Sequence, residues 1–290
     1  MKILIIQLLV NGFIAASFYA LCGVSWGVIY RTTHIFHFSH HLVFAVAGYV
    51  AVMIISQAHL PYFLGLLPAV VAAVLLGCGI DAFLYRPLRR MGATQASTFL
   101  ASLGLGTAGV AILLYAFSST PRRLVGFPVK MLSVGEAFFS VADLTLVIGC
   151  WVMIGFLLLF LAKSRYGKAV RAVGSNAEMA RNLGLNIDRI YLLVFAIGSI
   201  LFGVAAFLFT AKNVAVPTMG MLPFFMAFSC VFLGGVNSIP GHALAGLVLG
   251  FSESLGMLVM PGEYQTMIAF AILFVVIVIR PDGLIGLKRG

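Results

Sequence analysis

Nine apolar runs dominate the chain, at roughly 3–30, 42–57, 61–83, 96–117, 143–162, 190–210, 222–236, 240–258 and 264–280. A helix needs ~20 apolar residues to cross a bilayer, and lipid admits only structures that satisfy their own backbone hydrogen bonds. The 290 residues are therefore read as an all-α, polytopic integral membrane protein forming a single transmembrane domain over 1–290. Only Asn237-Ser238-Ile239 separates two of the runs, so the expected span count is eight to ten. At 62% hydrophobic and 9% charged, the composition lies far from the ~25% charged residues of a soluble domain. No polar stretch is long enough for a second core. The first run exceeds the apolar core of a cleaved leader and lacks its small-residue exit site, so it reads as the first span.

The net charge of +10 does not point to nucleic acid, because the basic residues stand at span ends and in short loops. Loops 31–41, 84–95 and 163–189, with the C-terminus, hold thirteen of the eighteen Lys and Arg. By the positive-inside bias this places them in the cytoplasm, with the N-terminus outside and the C-terminus inside. The loop 118–142 is then the main external segment. Cys22, Cys78, Cys150 and Cys230 each sit in an apolar run, as buried small hydrophobes do. Asp81, at a span end beside Arg86, is expected in a surface salt bridge.

The segment 163–189 is the one large polar island, with six basic residues against Glu178 and Asp188. Ser175-Asn176-Ala177-Glu178 has the pattern of a capping box, and Gly184 suits a left-handed helix stop. The spacing predicts a two-turn helix over 175–184. A helix that short needs a larger assembly to hold it, so the island is expected to dock on a partner.

Two polar interruptions, 31–41 and 234–241, fall one in each half of the chain and are expected to be broken helices. Breaks of this kind expose backbone dipoles that can meet a polar solute, although ordinary interhelical turns would read the same way. His37, Phe38, His40, Gly234, Gly235 and Ser238 are the candidate path residues, with Glu253, a carboxylate well inside a span, as helper. On a helix, His34, His37 and His41 would share a face, but no Cys or carboxylate accompanies them and no metal site is expected. Gly104-Leu105-Gly106-Thr107-Ala108-Gly109 lies inside an apolar run, outside the strand–helix context of a dinucleotide site. Like Gly23-x-x-x-Gly27 and Gly246-x-x-x-Gly250, it is read as helix packing. Gly167-Lys168 is followed by Ala169, so the phosphate-cradling loop is missing. No nucleophile–base pair appears either, and the chain is not expected to be an enzyme.

Several strings, in order, resemble the membrane permeases of the branched-chain amino acid ABC transporter family, of the Leu/Ile/Val type, over roughly 10–287. They are Asn11-Gly12 with Tyr19-Ala20-Leu21, His37-Phe38-Ser39-His40, Tyr85-Arg86-Pro87-Leu88-Arg89, Ser164 to Ala172 continuing to Ala180 and Leu183-Gly184-Leu185, Val231 to Gly235 with Ser238 to Gly241, and Arg280 to Leu284. The resemblance implies a subunit of the bacterial inner membrane with no bound cofactor of its own, ATP and Mg residing on partner ATPases. The implied partners are a second permease (homologous or identical), two cytoplasmic ATPases and a periplasmic solute-binding protein. It further implies that the helix carrying Ser175, Asn176, Glu178, Ala180, Arg181 and Gly184 couples the spans to the ATPases. The family's Asn-Phe-Ala-His-Gly-acidic string reads His37-Phe38-Ser39-His40-His41-Leu42 here. The implied solutes accordingly extend from branched-chain amino acids to urea, short amides and aromatic acids. The rival reading from the residues alone is an ion- or proton-coupled carrier.

Overall fold

The longest helix, α1 (Lys2–Thr33), supplies the surface on which much of the molecule packs. A computed structural model describes all residues except 1, 59–60, 125–129, 136, 281–282 and 286–290. After α1 come α2 (His40–Ala58) and α3 (Leu66–Ile80); α3 continues through a π-helical turn (Asp81–Tyr85) into α4 (Arg86–Arg90). Next are α5 (Gln95–Phe117), a small antiparallel hairpin of β1 (Met131–Val134) and β2 (Ala137–Ser140), and α6 (Val141–Lys163). Two short helices, α7 (Arg165–Ser175) and α8 (Ala177–Asn182), precede α9 (Ile187–Lys212), α10 (Met221–Gly234), α11 (Ile239–Gly256) and α12 (Gln265–Ile279).

Among the described residues, six helices are long and apolar enough to cross a membrane, and α10–α11 form a pair bent by 116°. A shorter apolar helix, His40–Ser56, adds to these. With the bent pair taken as one span the number is seven by length and composition, below the expected eight to ten. The protein is thus an all-helical polytopic membrane protein, with the four-residue strands of the loop 118–142 as a minor addition. Part of that loop (125–129 and 136), Pro281 and Asp282 of the last string, and Lys288 and Arg289 lie outside the described residues.

The break expected at 31–41 is present between α1 and α2, but it is buried in the bundle and is not a loop at the surface. Only His34 is exposed, and its φ of 54° takes the chain out of α1. Thr33 ends α1, and the backbone then turns back so far that the His37 carbonyl accepts from Trp26 Nε1 at 3.1 Å. Trp26 lies seven residues, or ~10 Å of helix, short of the end of α1. The segment 34–39 is non-helical, so His34, His37 and His41 do not share a helix face. Buried backbone away from helices is tolerated at membrane depth only when protein surrounds it. Here the aromatic rings of Trp26, Phe36, Phe99, Phe224 and Phe228 do so.

The two groups of loops expected on opposite sides do segregate. At one end Arg86, Arg89 and Arg90 meet Asp188. At the other, Gln7 exchanges two 2.8 Å hydrogen bonds with the Phe138 backbone, Lys212 pairs with Asp143 at 2.6 Å, and Arg122 bridges to Ala215. Ser140 and Asp143 form a reciprocal cap that starts α6 at this end.

The glycine strings pack helices, as expected, except at Gly104. α11 runs antiparallel to α1, so a Cβ on Gly246 or Gly250 would run into the backbone of Ala20 or Ala16. Gly23 and Gly27 of α1 make room for Cys230 and the His242 ring, and Gly106 and Gly109 of α5 face His41 and Leu42. Helices in lipid gain nothing by hiding apolar surface from each other, so this closeness supplies the dispersion contacts that hold them. Gly250→Leu should therefore lower the melting temperature in detergent, by an overpacking penalty of at least ~1–3 kcal/mol. Gly104→Leu serves as the control, since nothing lies within 4 Å of a Cβ there. Equal melting shifts in the two variants would refute this account of the packing.

Candidate functional site

The polar island folds as two helices, one of which the sequence reading did not separate. α7 starts at Ser164, whose hydroxyl accepts from the Gly167 N–H at 2.8 Å. Its buried face carries Gly167, Val170 and Val173. Gly167 lies against the backbone of Phe160 and Leu161, Gly174 lies against Arg31, and Arg171 donates to the Leu161 carbonyl. This fixes α7 beneath the ends of α1 and α6. α8 follows at once, and its cap is Asn176 rather than Ser175. Ser175 is still the last residue of α7, and the Asn176 side chain accepts from the Met179 N–H at 2.8 Å. Asn caps as well as Ser, and this one-residue shift moves Glu178 out of the position a capping box requires.

The stop falls where the sequence put it. Gly184 has φ +87°, its N–H reaches the Arg181 carbonyl at 2.9 Å, and the Leu185 N–H reaches that of Ala180 at 3.1 Å. This is a Schellman closure. Ala180 is buried, whereas Glu178, Met179, Arg181 and Leu183 are exposed. Leu183 is 78% exposed, so α8 presents an apolar knob between charges.

An ion network ties this loop to the end of α3–α4. Asp188, at the start of α9, is approached by Arg86 Nε at 3.0 Å, Arg89 Nη2 at 3.5 Å and Arg90 Nη2 at 3.6 Å. Arg89 Nη1 also holds Asp81 at 2.7 Å, and its guanidinium lies 4.8 Å from the Tyr191 ring centroid. Asp81 is therefore buried and pairs with Arg89, not with Arg86 at the surface. Because the π-helical turn starting at Asp81 has more than 3.6 residues per turn, the partner stands eight residues on. Between this network and α8 lies a cleft of about 550 Å³, lined by Arg89, Arg90, Arg181, Asn186 and Tyr191 among others.

Tyr85, the residue before Arg86, enters a second network inside the bundle. Its hydroxyl donates to Ser102 Oγ at 2.6 Å and stands 2.8 Å from His37 Nδ1. With the tyrosine proton committed to Ser102, Nδ1 of His37 is the donor and Nε2 an acceptor. Ser39 donates from its N–H to Ser102 Oγ and from its hydroxyl to the Ser102 carbonyl. His40 follows the same logic. Ser25 donates to the Gly198 carbonyl, so His40 Nε2 donates to Ser25 and Nδ1 is left as acceptor. The His37 and His40 rings lie 5.0 Å apart, and His40 stacks on Phe202 at 4.1 Å. Neither His37 Nε2 nor His40 Nδ1 has a donor among the described residues.

Phe38 adjoins this pair in the chain, and the other path candidates lie on α10 and α11 and the bend between them. Phe38 packs on Phe224, with ring centroids 4.9 Å apart. Gly234 and Gly235 form the bend between α10 and α11, where the Gly234 and Gly241 backbones touch and Gly235 has φ +93°. Ser238 caps α11, accepting from the Gly241 N–H at 3.1 Å. Glu253 lies near the far end of α11, about eleven residues or ~16 Å beyond His242. It is buried within reach of the Tyr19 hydroxyl, with Oε2 unpartnered among the described residues. The histidine pair and the bend thus both pack on one stretch of α1, at Ser25, Trp26 and Gly27, while Glu253 lies toward the other end of α11. The sequence reading missed Tyr85, Ser102 and Ser25 as network members, and Asp188 as a hub. Tyr85 and Ser39 did stand inside the strings that carried the resemblance.

Residues 8–277 match the protein family described as the branched-chain amino acid transport system / permease component. The chain is 31% identical over 295 residues to the high-affinity branched-chain amino acid transport system permease protein BraD of Pseudomonas aeruginosa, covering 97% of this chain and 95% of that protein. It is 30% identical over 300 residues to the corresponding permease LivH of Escherichia coli, again covering 97% and 95%. A chain of PsaBC from Streptococcus pneumoniae in complex with Fab superposes with a TM-score of 0.55 at 15% identity, covering 94% of this chain and 91% of that one. At that identity the likeness is one of fold. The motif strings, the helical architecture and the near full-length match agree, and the chain belongs to the family of branched-chain amino acid transport permeases.

Proposed function

We propose that the chain is the membrane-spanning permease subunit of an ATP-driven importer in the bacterial inner membrane. Its cargo is branched-chain amino acids or related small organic solutes. It acts with a second permease, two cytoplasmic ATPases and a periplasmic binding protein. ATP and Mg are bound by the ATPases, and the end bearing α7 and α8 faces the cytoplasm. Family membership over nearly the whole chain carries this reading. The exposed α8, held at both ends by caps and from behind by α7, supports a docking role for it. Such a helix transmits displacement without unfolding.

α4 supports a mechanical continuation of that role. Arg86, Arg89 and Arg90 grip Asp188 beside α8, while Tyr85, one residue earlier, holds His37 and Ser102. A shift of α8 and the α9 start would move the π-helical turn and, with it, the hydrogen bonds that anchor the entry into α2. Within this reading the solute path runs past His37, Phe38 and His40, with Gly234, Gly235 and Ser238 as a hinge and Glu253 as a polar contact. The two spare acceptor nitrogens of the histidine pair suit N–H donors such as those of amino acids or amides.

Uptake should stop when ATP is depleted and continue when only the proton gradient is collapsed; the opposite pattern would make the protein a secondary carrier. Replacing Glu178 and Arg181 with alanine should lower uptake roughly 5- to 150-fold at unchanged membrane level, as expected for 1–3 kcal/mol of lost coupling. Unchanged uptake in that double variant would remove α8 from the coupling role. Tyr85→Phe leaves His37 and Ser102 short of a partner and should lower stability by about 1–3 kcal/mol. The readout is thermal unfolding of the purified protein, and a melting temperature equal to the parent's would show that the network carries no load.

A further inference from the structure

We propose that the outer side of α3–α4 binds one anionic phospholipid, with its phosphodiester held by Arg86 and Arg90 and its acyl chains laid past Phe83, Gly79 and Leu75. The proposal needs only that this end of the bundle lies at a membrane surface, and it stands whichever solute the permease carries. It begins from a recess of about 440 Å³ lined by Ala82, Arg86, Pro87, Arg90 and Met91. Two cations four residues apart line it, and no carboxylate does.

Asp188 stands behind the arginines and orients them without consuming them. It takes Nε of Arg86 and one Nη of Arg90, whereas each guanidinium carries five N–H donors in a planar fork. The remaining donors have no partner among the described residues, and the Arg90 side chain is 67% exposed. The local balance is also positive, because Arg86, Arg89 and Arg90 face only Asp81 and Asp188. A phosphodiester brings the missing negative charge and matches the fork in geometry.

The hydrocarbon part distinguishes a lipid from a soluble anion or an acidic protein surface. α3 exposes Leu67, Val71 and Leu75, and the π-helical turn after it exposes Phe83, at 87%. Between Leu75 and Phe83 stands Gly79, and nothing lies within 4 Å of where its Cβ would be. The run Leu75, Gly79, Phe83, Pro87 advances by fours and ends at the arginine recess. From Leu75 to Arg86 is eleven residues or ~16 Å of helix, close to half of the ~30 Å hydrocarbon thickness. A notch between two bulky side chains, continuous with a pair of cations, fits an acyl chain below its headgroup. Basic pockets at the cytoplasmic ends of spans recognise anionic headgroups in this manner.

The test is native mass spectrometry of the full chain in detergent micelles, titrated with dioleoylphosphatidylglycerol, dioleoylphosphatidylcholine or inorganic phosphate. The expected result is a single phosphatidylglycerol adduct retained on the order of tenfold better than phosphatidylcholine. Arg90→Gln should abolish that preference, and Arg123→Gln, at the opposite end, should leave it intact. Gly79→Leu should weaken retention of the adduct with all arginines in place and the melting temperature unchanged. Equal retention of the two lipids overturns the proposal, as does a preference that survives Arg90→Gln. Displacement of the adduct by millimolar inorganic phosphate would instead make the recess a site for soluble anions. If Gly79→Leu melts early, the comparison of Arg90→Gln with Arg123→Gln decides by itself.

Discussion

The close approach of α1 and α11 is the constraint on which the other contacts depend. Gly246 and Gly250 bring the α11 backbone against Ala20 and Ala16, and Ser254 closes the far end by donating to the Leu8 carbonyl at 2.6 Å. In lipid such contact replaces the hydrophobic drive that packs soluble helices. With α11 locked to α1, the bend at 235–238 must fall beside the last turns of α1, where Gly27 admits the His242 ring and His242 Nε2 meets the Gly235 carbonyl at 3.1 Å. The bend therefore lies toward the arginine-rich end of the bundle, away from the middle that a transport break suggested. There the described part of the C-terminal segment reaches it, with the Leu284 N–H donating to the Leu233 carbonyl at 2.8 Å.

The same logic explains why the polar residues of the interior come in chains. A buried hydroxyl or imidazole in a bundle that excludes water must find a partner or pay its desolvation. Tyr85, Ser102, Ser39 and His37 satisfy one another in sequence, as do His40, Ser25 and the Gly198 carbonyl. These bonds hold the non-helical segment 34–39 inside the protein. They also set the orientation of each imidazole, which leaves one acceptor nitrogen free on both His37 and His40.

Much of the architecture could be read from local pattern. Apolar runs of span length gave the membrane helices, the glycine strings gave the packing faces, and Gly184 gave the end of α8 through its left-handed conformation. The errors arose wherever the answer depended on distant residues. Ser175 has the right chemistry for a cap, yet the packing of α7 under α1 and α6 carries the helix through it to Asn176. Segment 31–41 reads correctly as a break between helices, but its polarity gives no sign that it is buried. It is buried because Trp26, Tyr85 and Ser102, which lie outside it in sequence, bond to it. Asp81 looked like the partner of Arg86 until the π-helical turn brought Arg89 round to it.

The sequence alone determined that the chain lives in lipid, which loops share an end, and which small residues bring helices together. Those properties follow from hydropathy, charge distribution and side-chain size, each of which acts residue by residue. Only the tertiary structure decided that Asp188 gathers three arginines, that Tyr85 joins the arginine-rich end to a buried histidine pair, and that Glu253 lies away from the other path candidates. Hydrogen bonds and ion pairs need geometry at 3 Å, and the partners stand about 50 to 100 residues apart in the chain, as in His37 with Tyr85 and Arg89 with Asp188.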